Sequence, residues 1–199
     1  MRDEPGQERL RLFVAAALPS DLRREVLDFQ ERLRRKIPGV RWVRADGIHI
    51  TLKFLGWVES DRLCAIERLL QSEAESAEPM ELELSGPGVF PRPGAPRVLW
   101  IGVREEGGML SALQERLERG FERLGFPREG RPFSPHLTLG RVEKRVAPGG
   151  VERMLEEEAP RGRFSLKEID LMRSELKPEG AVYTKRLTVG LGRPWPSEK

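Results

Sequence analysis

The chain contains only two histidines, and both open the same four-residue pattern, His49-Ile-Thr-Leu and His136-Leu-Thr-Leu. With threonine this scarce, each histidine has about a 2% chance of a threonine two places on, so both together by accident is about one in a few thousand. Alternation of polar and apolar residues is the signature of a half-buried strand. It turns His49 and Thr51 to one face and Ile50 and Leu52 to the other, with His136 and Thr138 set the same way against Leu137 and Leu139. The fold must therefore contain two such strands, each presenting an imidazole beside a hydroxyl on an apolar backing.

The remaining elements fall into two similar series. A short apolar strand over 11–18 is closed by Pro19, and a helix follows with Ser20 as its N-cap and Leu22, Val26, Phe29 and Leu33 on one stripe. Pro38-Gly39 ends it. A strand over 48–55 stopped by Gly56, a helix over about 60–74 and a strand over 80–84 come next, before a loop rich in Pro and Gly over 86–96. The order then begins again with a strand over 97–103, a helix over 110–124 carrying Leu113, Leu117 and Phe121 on one side, and a strand over 136–142. Val151, Met154 and Leu155 suggest a shorter helix, and strands are expected over 167–171 and 183–191. A shift of 87 residues (136 − 49) lays Phe13 on Trp100, Ser60 near Ala147 and 80–84 beside 167–171. These matches predict an α+β fold within one domain spanning 1–199. It is built from repeat units of about 11–90 and 97–191, as two pseudo-symmetric lobes of antiparallel sheet with outer helices facing across a cleft.

Composition narrows the function classes. Charged residues make up 34% of the chain, but the signs nearly cancel to a net +3, a weak argument for polyanion binding. No apolar run approaches the roughly 20 residues of a membrane span, and the start lacks a signal-peptide apolar region, so a cytoplasmic protein is expected. The single cysteine, Cys64, excludes an intrachain disulfide and a Cys-based zinc cluster, and is read as a small core residue.

Two imidazoles and two hydroxyls suit the opening of a cyclic phosphodiester by water. That reaction is an in-line displacement in which the attacking oxygen loses a proton on one face of phosphorus and the leaving oxygen gains one on the other. Imidazole, titrating near neutrality, can serve in either place, and the threonine hydroxyls can donate to the non-bridging oxygens. A metal site would lack a third protein ligand, since Asp46 and Glu59 lie in turn regions outside the motif, so no metal and no cofactor are expected. Neither Gly86-Pro-Gly nor Gly107-Gly108 has the flanking Lys-Ser/Thr of a phosphate-binding loop. By alternation Lys53 falls on the His49 face and could reach a phosphate, with a salt-bridged lysine as the alternative. Phe13 and Trp100 are read as core, with base stacking as the alternative.

With these flanks, the sequence resembles the two-histidine phosphoesterases, and more closely their bacterial and archaeal RNA 2′,3′-cyclic phosphodiesterases, also called 2′-5′ RNA ligases. The resemblance runs from Arg11 to about Leu191. It rests on Arg11-Leu-Phe-Val with Leu18-Pro19, Trp42-Val43, His49-Ile-Thr-Leu-Lys-Phe-Leu-Gly56, Pro96-Arg-Val-Leu-Trp100, and Arg131-Pro-Phe-Ser-Pro-His-Leu-Thr-Leu-Gly-Arg141. It implies a bilobal fold with facing motifs, His49 as proton donor to the leaving 3′ oxygen, His136 as the base that activates water, and a 2′-phosphate product. Reverse 2′-5′ ligation is implied as a further capacity. It also implies that Arg141 contacts substrate. Strict alternation from His136 would turn Arg141 away from the cleft, so this role requires a bulge or a strand end there. The expected partners are RNA ends bearing a 2′,3′-cyclic phosphate or small cyclic nucleotides, bound by a monomer. A non-catalytic nucleotide-binding module is the remaining alternative, and intact motifs argue against it.

Overall fold

The computed structural model describes residues 8–91, 95–143, 150–177 and 180–192, the side chains of 151–153 excepted. Ala147 and the chain start, both used in the sequence argument, lie outside these residues. Among them are nine strands: β1 (Arg9–Ala17), β2 (Val40–Trp42), β3 (His49–Glu59), β4 (Met80–Phe90), β5 (Val98–Arg104), β6 (His136–Val142), β7 (Arg163–Leu166), β8 (Glu168–Lys177) and β9 (Gly180–Gly190). The helices are α1 (Ser20–Lys36), α2 (Leu63–Glu75), α3 (Met109–Arg123) and α4 (Gly150–Glu156). No helix among the described residues is long and apolar enough to cross a membrane.

The strands form one antiparallel sheet in the order β7-β4-β5-β6-β3-β1-β8-β9, with β2 added to the end of β6. Read outwards from the seam between β6 and β3, β5 answers β1, β4 answers β8 and β7 answers β9. The lobes on either side of the seam are not the two sequence halves, however. β4, from the first half, pairs with β5 of the second, and β8 pairs back with β1. The first unit thus lends β4 to the other lobe and the second lends β8 and β9, so a division into 11–90 and 97–191 cuts across both. Only one registered pair, Ile50 with Leu137, joins β3 to β6.

One face of the sheet carries the core. Ile50, Leu137, Leu139, Leu99 and Ile101 are fully buried there with the expected α1 stripe of Val26, Phe29 and Leu33 and with Leu113, Leu117 and Phe121 of α3. Several local expectations change. Gly56 does not stop β3; at φ +72° it lets the strand kink and run on to Glu59. β4 likewise continues through the anticipated loop to Phe90, with a register shift between Leu84 and Pro87. Ser20 is the first residue of α1 rather than its N-cap, which is Pro19. Cys64 is exposed, because α2 buries Ile66, Leu70 and Ala74, and a position two residues before Ile66 points about 200° away from that stripe.

Candidate active site

The register Ile50↔Leu137 places these two side chains together on the core face. Carried one residue either way in an antiparallel pair, it sets His49 across from Thr138 and Thr51 across from His136 on the opposite face. All four predicted motif residues therefore meet at the seam, on the side away from the packed helices, and all four are half-buried.

Each imidazole is fixed through one nitrogen. His136 Nδ1 lies 2.7 Å from the Ser134 carbonyl and His49 Nδ1 lies 3.4 Å from that of Asp46. A carbonyl can only accept, so Nδ1 carries the proton in each ring and Nε2 is the nitrogen left for chemistry. Aromatic rings complete the settings. Phe13 lies 4.9 Å and Tyr183 5.3 Å from the His49 ring, while Phe90 lies 5.2 Å and Trp100 6.2 Å from that of His136. Phe13 is buried, in keeping with a core reading, yet it forms part of the wall of the site. Tyr183 and Phe90 carry no motif and were not foreseen; only the sheet topology brings β9 and the far end of β4 to these histidines.

The two sites differ in charge. Burial pushes His49 down to about 4, opposed by its bond to the Asp46 carbonyl and by the negative charges of Asp46 and Asp170. His136 is also lowered by burial, opposed by its bond to the Ser134 carbonyl, and here the nearby charge is the Arg141 guanidinium, which lowers it further. Carboxylates thus favour imidazolium at His49, and a cation disfavours it at His136.

Arg141 comes to the His136 face through a bulge. In β6, Leu99 pairs with Gly140 but Trp100 pairs with Thr138, so Leu139 is the extra residue. Alternation reverses there, and the exposed Arg141 returns to the His136 face. Gly140 turns inward, where an added Cβ would stand 2.5 Å from a Val40 methyl. Arg141 is also the registered partner of Arg41 on β2, a second exposed cation that sequence reasoning missed.

A matching bulge in β3 removes Lys53 from the site. Val14 pairs with Lys53 and Ala15 with Thr51, leaving Leu52 as the extra residue at the equivalent motif position. Lys53 therefore points into the core, 1% exposed, where its Nζ donates to Glu118 at 2.7 Å and to the Pro127 carbonyl at 2.6 Å. Its expected reach to a phosphate is thus replaced by the salt-bridged alternative. Phe54 takes the turn to the His49 face and is 49% exposed.

Among the described residues no three His, Cys, Asp or Glu side chains gather as a metal site would require. The groove of about 580 Å³ beside α1 is lined by Glu25, Asp28, Arg32 and residues 157–161, none of them from the motif strands.

Residues 18–178 match the model of the 2′-5′ RNA ligase superfamily. The chain belongs to this family. It is 36% identical over 181 residues to the RNA 2′,3′-cyclic phosphodiesterase of Methanothermobacter thermautotrophicus, covering 88% of this chain and 96% of that one. Among solved structures it is similar to TT0787 of Thermus thermophilus, with TM-score 0.76 and 32% identity over 92% of this chain and 98% of that one. It is also similar to Escherichia coli LigT complexed with 3′-AMP, with TM-score 0.75 and 26% identity over 94% of this chain and 100% of that one. As a family member, the chain has the α+β architecture expected from its repeat.

Proposed function

We propose that this chain hydrolyses 2′,3′-cyclic phosphates at RNA ends to 2′-phosphates by acid–base catalysis between His49 and His136. The observation that carries the reading is the seam register, which sets each imidazole beside the other motif's threonine with its Nε2 free. Relatives named RNA 2′,3′-cyclic phosphodiesterase at up to 37% identity support the substrate.

In this mechanism Nε2 of neutral His136 takes a proton as water attacks phosphorus, and Nε2–H of protonated His49 donates to the departing 3′ oxygen. The P–O3′ bond breaks, the ester at O2′ remains, and the two histidines exchange protonation states until solvent resets them. Thr51 and Thr138 donate to the non-bridging oxygens, and Arg141 offsets their charge. In the free protein His49 is neutral near pH 7, so the anionic phosphate must raise it on binding. The carboxylates of Asp46 and Asp170 favour that change at His49, and Arg141 resists it at His136. Reverse ligation would use the same groups in the opposite order. We place the activity in the cytoplasm, with the chain acting as a monomer.

The test is turnover of a 2′,3′-cyclic-phosphate-ended oligonucleotide and the matching mononucleotide in the presence of EDTA, with the product's phosphate position read by NMR. A 2′-phosphate formed undiminished by chelation is expected. A 3′-phosphate, or activity lost to EDTA and restored by a divalent metal, would overturn the mechanism.

A further inference from the structure

Beyond the histidines, the motif face of β3 carries a second exposed aromatic residue that the mechanism leaves without a task. Trp57 is 56% exposed, more than Phe54 before it. Its orientation follows from its neighbours. Leu10 pairs with Val58 and both are buried, so the adjacent pair, Arg11 with Trp57, points to the other side of the sheet. That is the side of Phe13, whose ring lies 4.9 Å from His49 and 6.1 Å from Phe54. The Arg11 guanidinium is held there by the Ser174 hydroxyl at 2.9 Å.

Resting on the RNA-end reading above, we propose that Trp57, with Arg11 beside it, is a stacking site for single-stranded RNA upstream of the terminal cyclic phosphate. Three features choose this occupant. The face is continuous with the motif residues through Phe13 and Phe54. An exposed indole offers a sequence-tolerant platform to any base, with a fixed guanidinium next to it for backbone or π contact. The nearby carboxylates are already engaged, Glu59 by Arg9 at 2.9 Å and both Glu8 and Glu175 by Arg173. Thr51 and Trp57 pair with Ala15 and Arg11, four residues apart on β1, so at about 3.3 Å per residue Trp57 lies roughly 13 Å along the strand from Thr51. That is a span of about two nucleotides on a strand that lies along the sheet. A mononucleotide would not reach it.

The experiment compares kcat/KM on a nucleoside 2′,3′-cyclic phosphate and on a tetranucleotide ending in a 2′,3′-cyclic phosphate, for the wild type, Trp57→Ala and Trp57→Phe. Trp57→Ala is expected to lower the tetranucleotide value by about 5- to 100-fold, the range that base–aromatic stacking supports. The mononucleotide value should stay unchanged, and Trp57→Phe should retain most of the tetranucleotide preference. Equal losses on both substrates, or none on either, overturn the proposal. Binding of a 2′-phosphate-ended hexanucleotide, followed by anisotropy, decides the matter independently of turnover: unchanged affinity in Trp57→Ala overturns it. Should the wild type turn over neither substrate, the phosphodiesterase reading fails, while weakened hexanucleotide binding in the variant still supports the track. Sedimentation closes the remaining route, because dissociation of a dimer by Trp57→Ala with RNA affinity intact would make this surface a self-interface.

Discussion

The two motif strands share a bulge at the same place and are held there by different chemistry. In β6 the extra residue, Leu139, has its carbonyl bonded by the Val43 amide and by Gln30 Nε2, and the same Gln30 nitrogen donates to the Val43 carbonyl. A neutral amide from α1 thus ties the bulge of the second motif to the segment leading into the first. In β3 the residue after the bulge, Lys53, reaches Glu118 of α3 and the Pro127 carbonyl, and Glu118 also accepts from the Glu129 amide. A buried ion pair there ties the bulge of the first motif to the segment leading into the second. The locks are reciprocal, and their difference has a local cause: Gly140, which stands in β6 where Lys53 stands in β3, one place past the bulge, has no room for a side chain. Beyond the bulges, one strand offers Arg141 and the other Phe54, so a nearly symmetric frame carries a cationic rim on one side and an aromatic rim on the other.

The largest effect should come from breaking the symmetry of the histidines themselves. Removing a general acid or base costs about 10²- to 10⁴-fold. If His49 is the acid, His49→Ala should recover most of its loss on a diester with a nitrophenolate leaving group, whose departure needs no proton. His136→Ala should stay slow, since its water still lacks a base. Rescue of the His136 variant instead would exchange the roles.

The ionic lock can be broken one charge at a time. Lys53→Met leaves Glu118 charged in a site from which both side chains are almost wholly excluded from water, a change that should cost about 3–5 kcal/mol by denaturant unfolding. Adding Glu118→Gln removes the stranded charge while keeping an acceptor for the Glu129 amide, and should restore much of the loss. If Lys53→Met spares stability but weakens phosphate binding, Lys53 faces the substrate after all.

Protonation separates the lobes in a third way. A His49 pushed down to about 4 in the folded chain, against about 6.5 unfolded, binds fewer protons than the unfolded chain between these values. Its contribution, on the order of 3 kcal/mol, is therefore full above about pH 6.5 and is lost as pH falls through about 4. His49→Gln should flatten stability against pH across that window more than His136→Gln does. Inorganic phosphate should raise the His49 titration followed by NMR; an unshifted value would argue against this ring meeting the phosphate.

Much of this arrangement was legible in the sequence because it rests on short-range periodicity. The motif strands, the stripes of α1 and α3, and the 87-residue offset all follow from residues close together in the chain or from one shift. What escaped depends on partners far away. Strand alternation alone put Lys53 with the substrate and Arg141 away from it, and a bulge in each strand reverses its assignment. The exchange of β4 and β8 between lobes was invisible, since a shift relates similar segments without saying which of them pair. Tyr183 and Phe90 reach the histidines only through that exchange.

The smallest predicted effect tests whether the neutral lock positions Arg141. Gln30→Met keeps the volume and removes the donor shared by the Val43 and Leu139 carbonyls. Leu139 keeps its bond from the Val43 amide, so the loss should lie at about 1–3 kcal/mol, below that of the ionic lock. Loss of stability alone would fit any buried hydrogen bond, so the informative measurement is a double-mutant cycle with Arg141→Ala, read as affinity for a 2′-phosphate-ended oligonucleotide. If Gln30 acts by holding the bulge that aims Arg141, Gln30→Met should weaken binding in the presence of Arg141 and have little effect without it. Additive losses would mean that the bulge persists without Gln30, and that the Leu139 carbonyl and the tight fit of Gly140 under Val40 are enough to hold Arg141 at the phosphate.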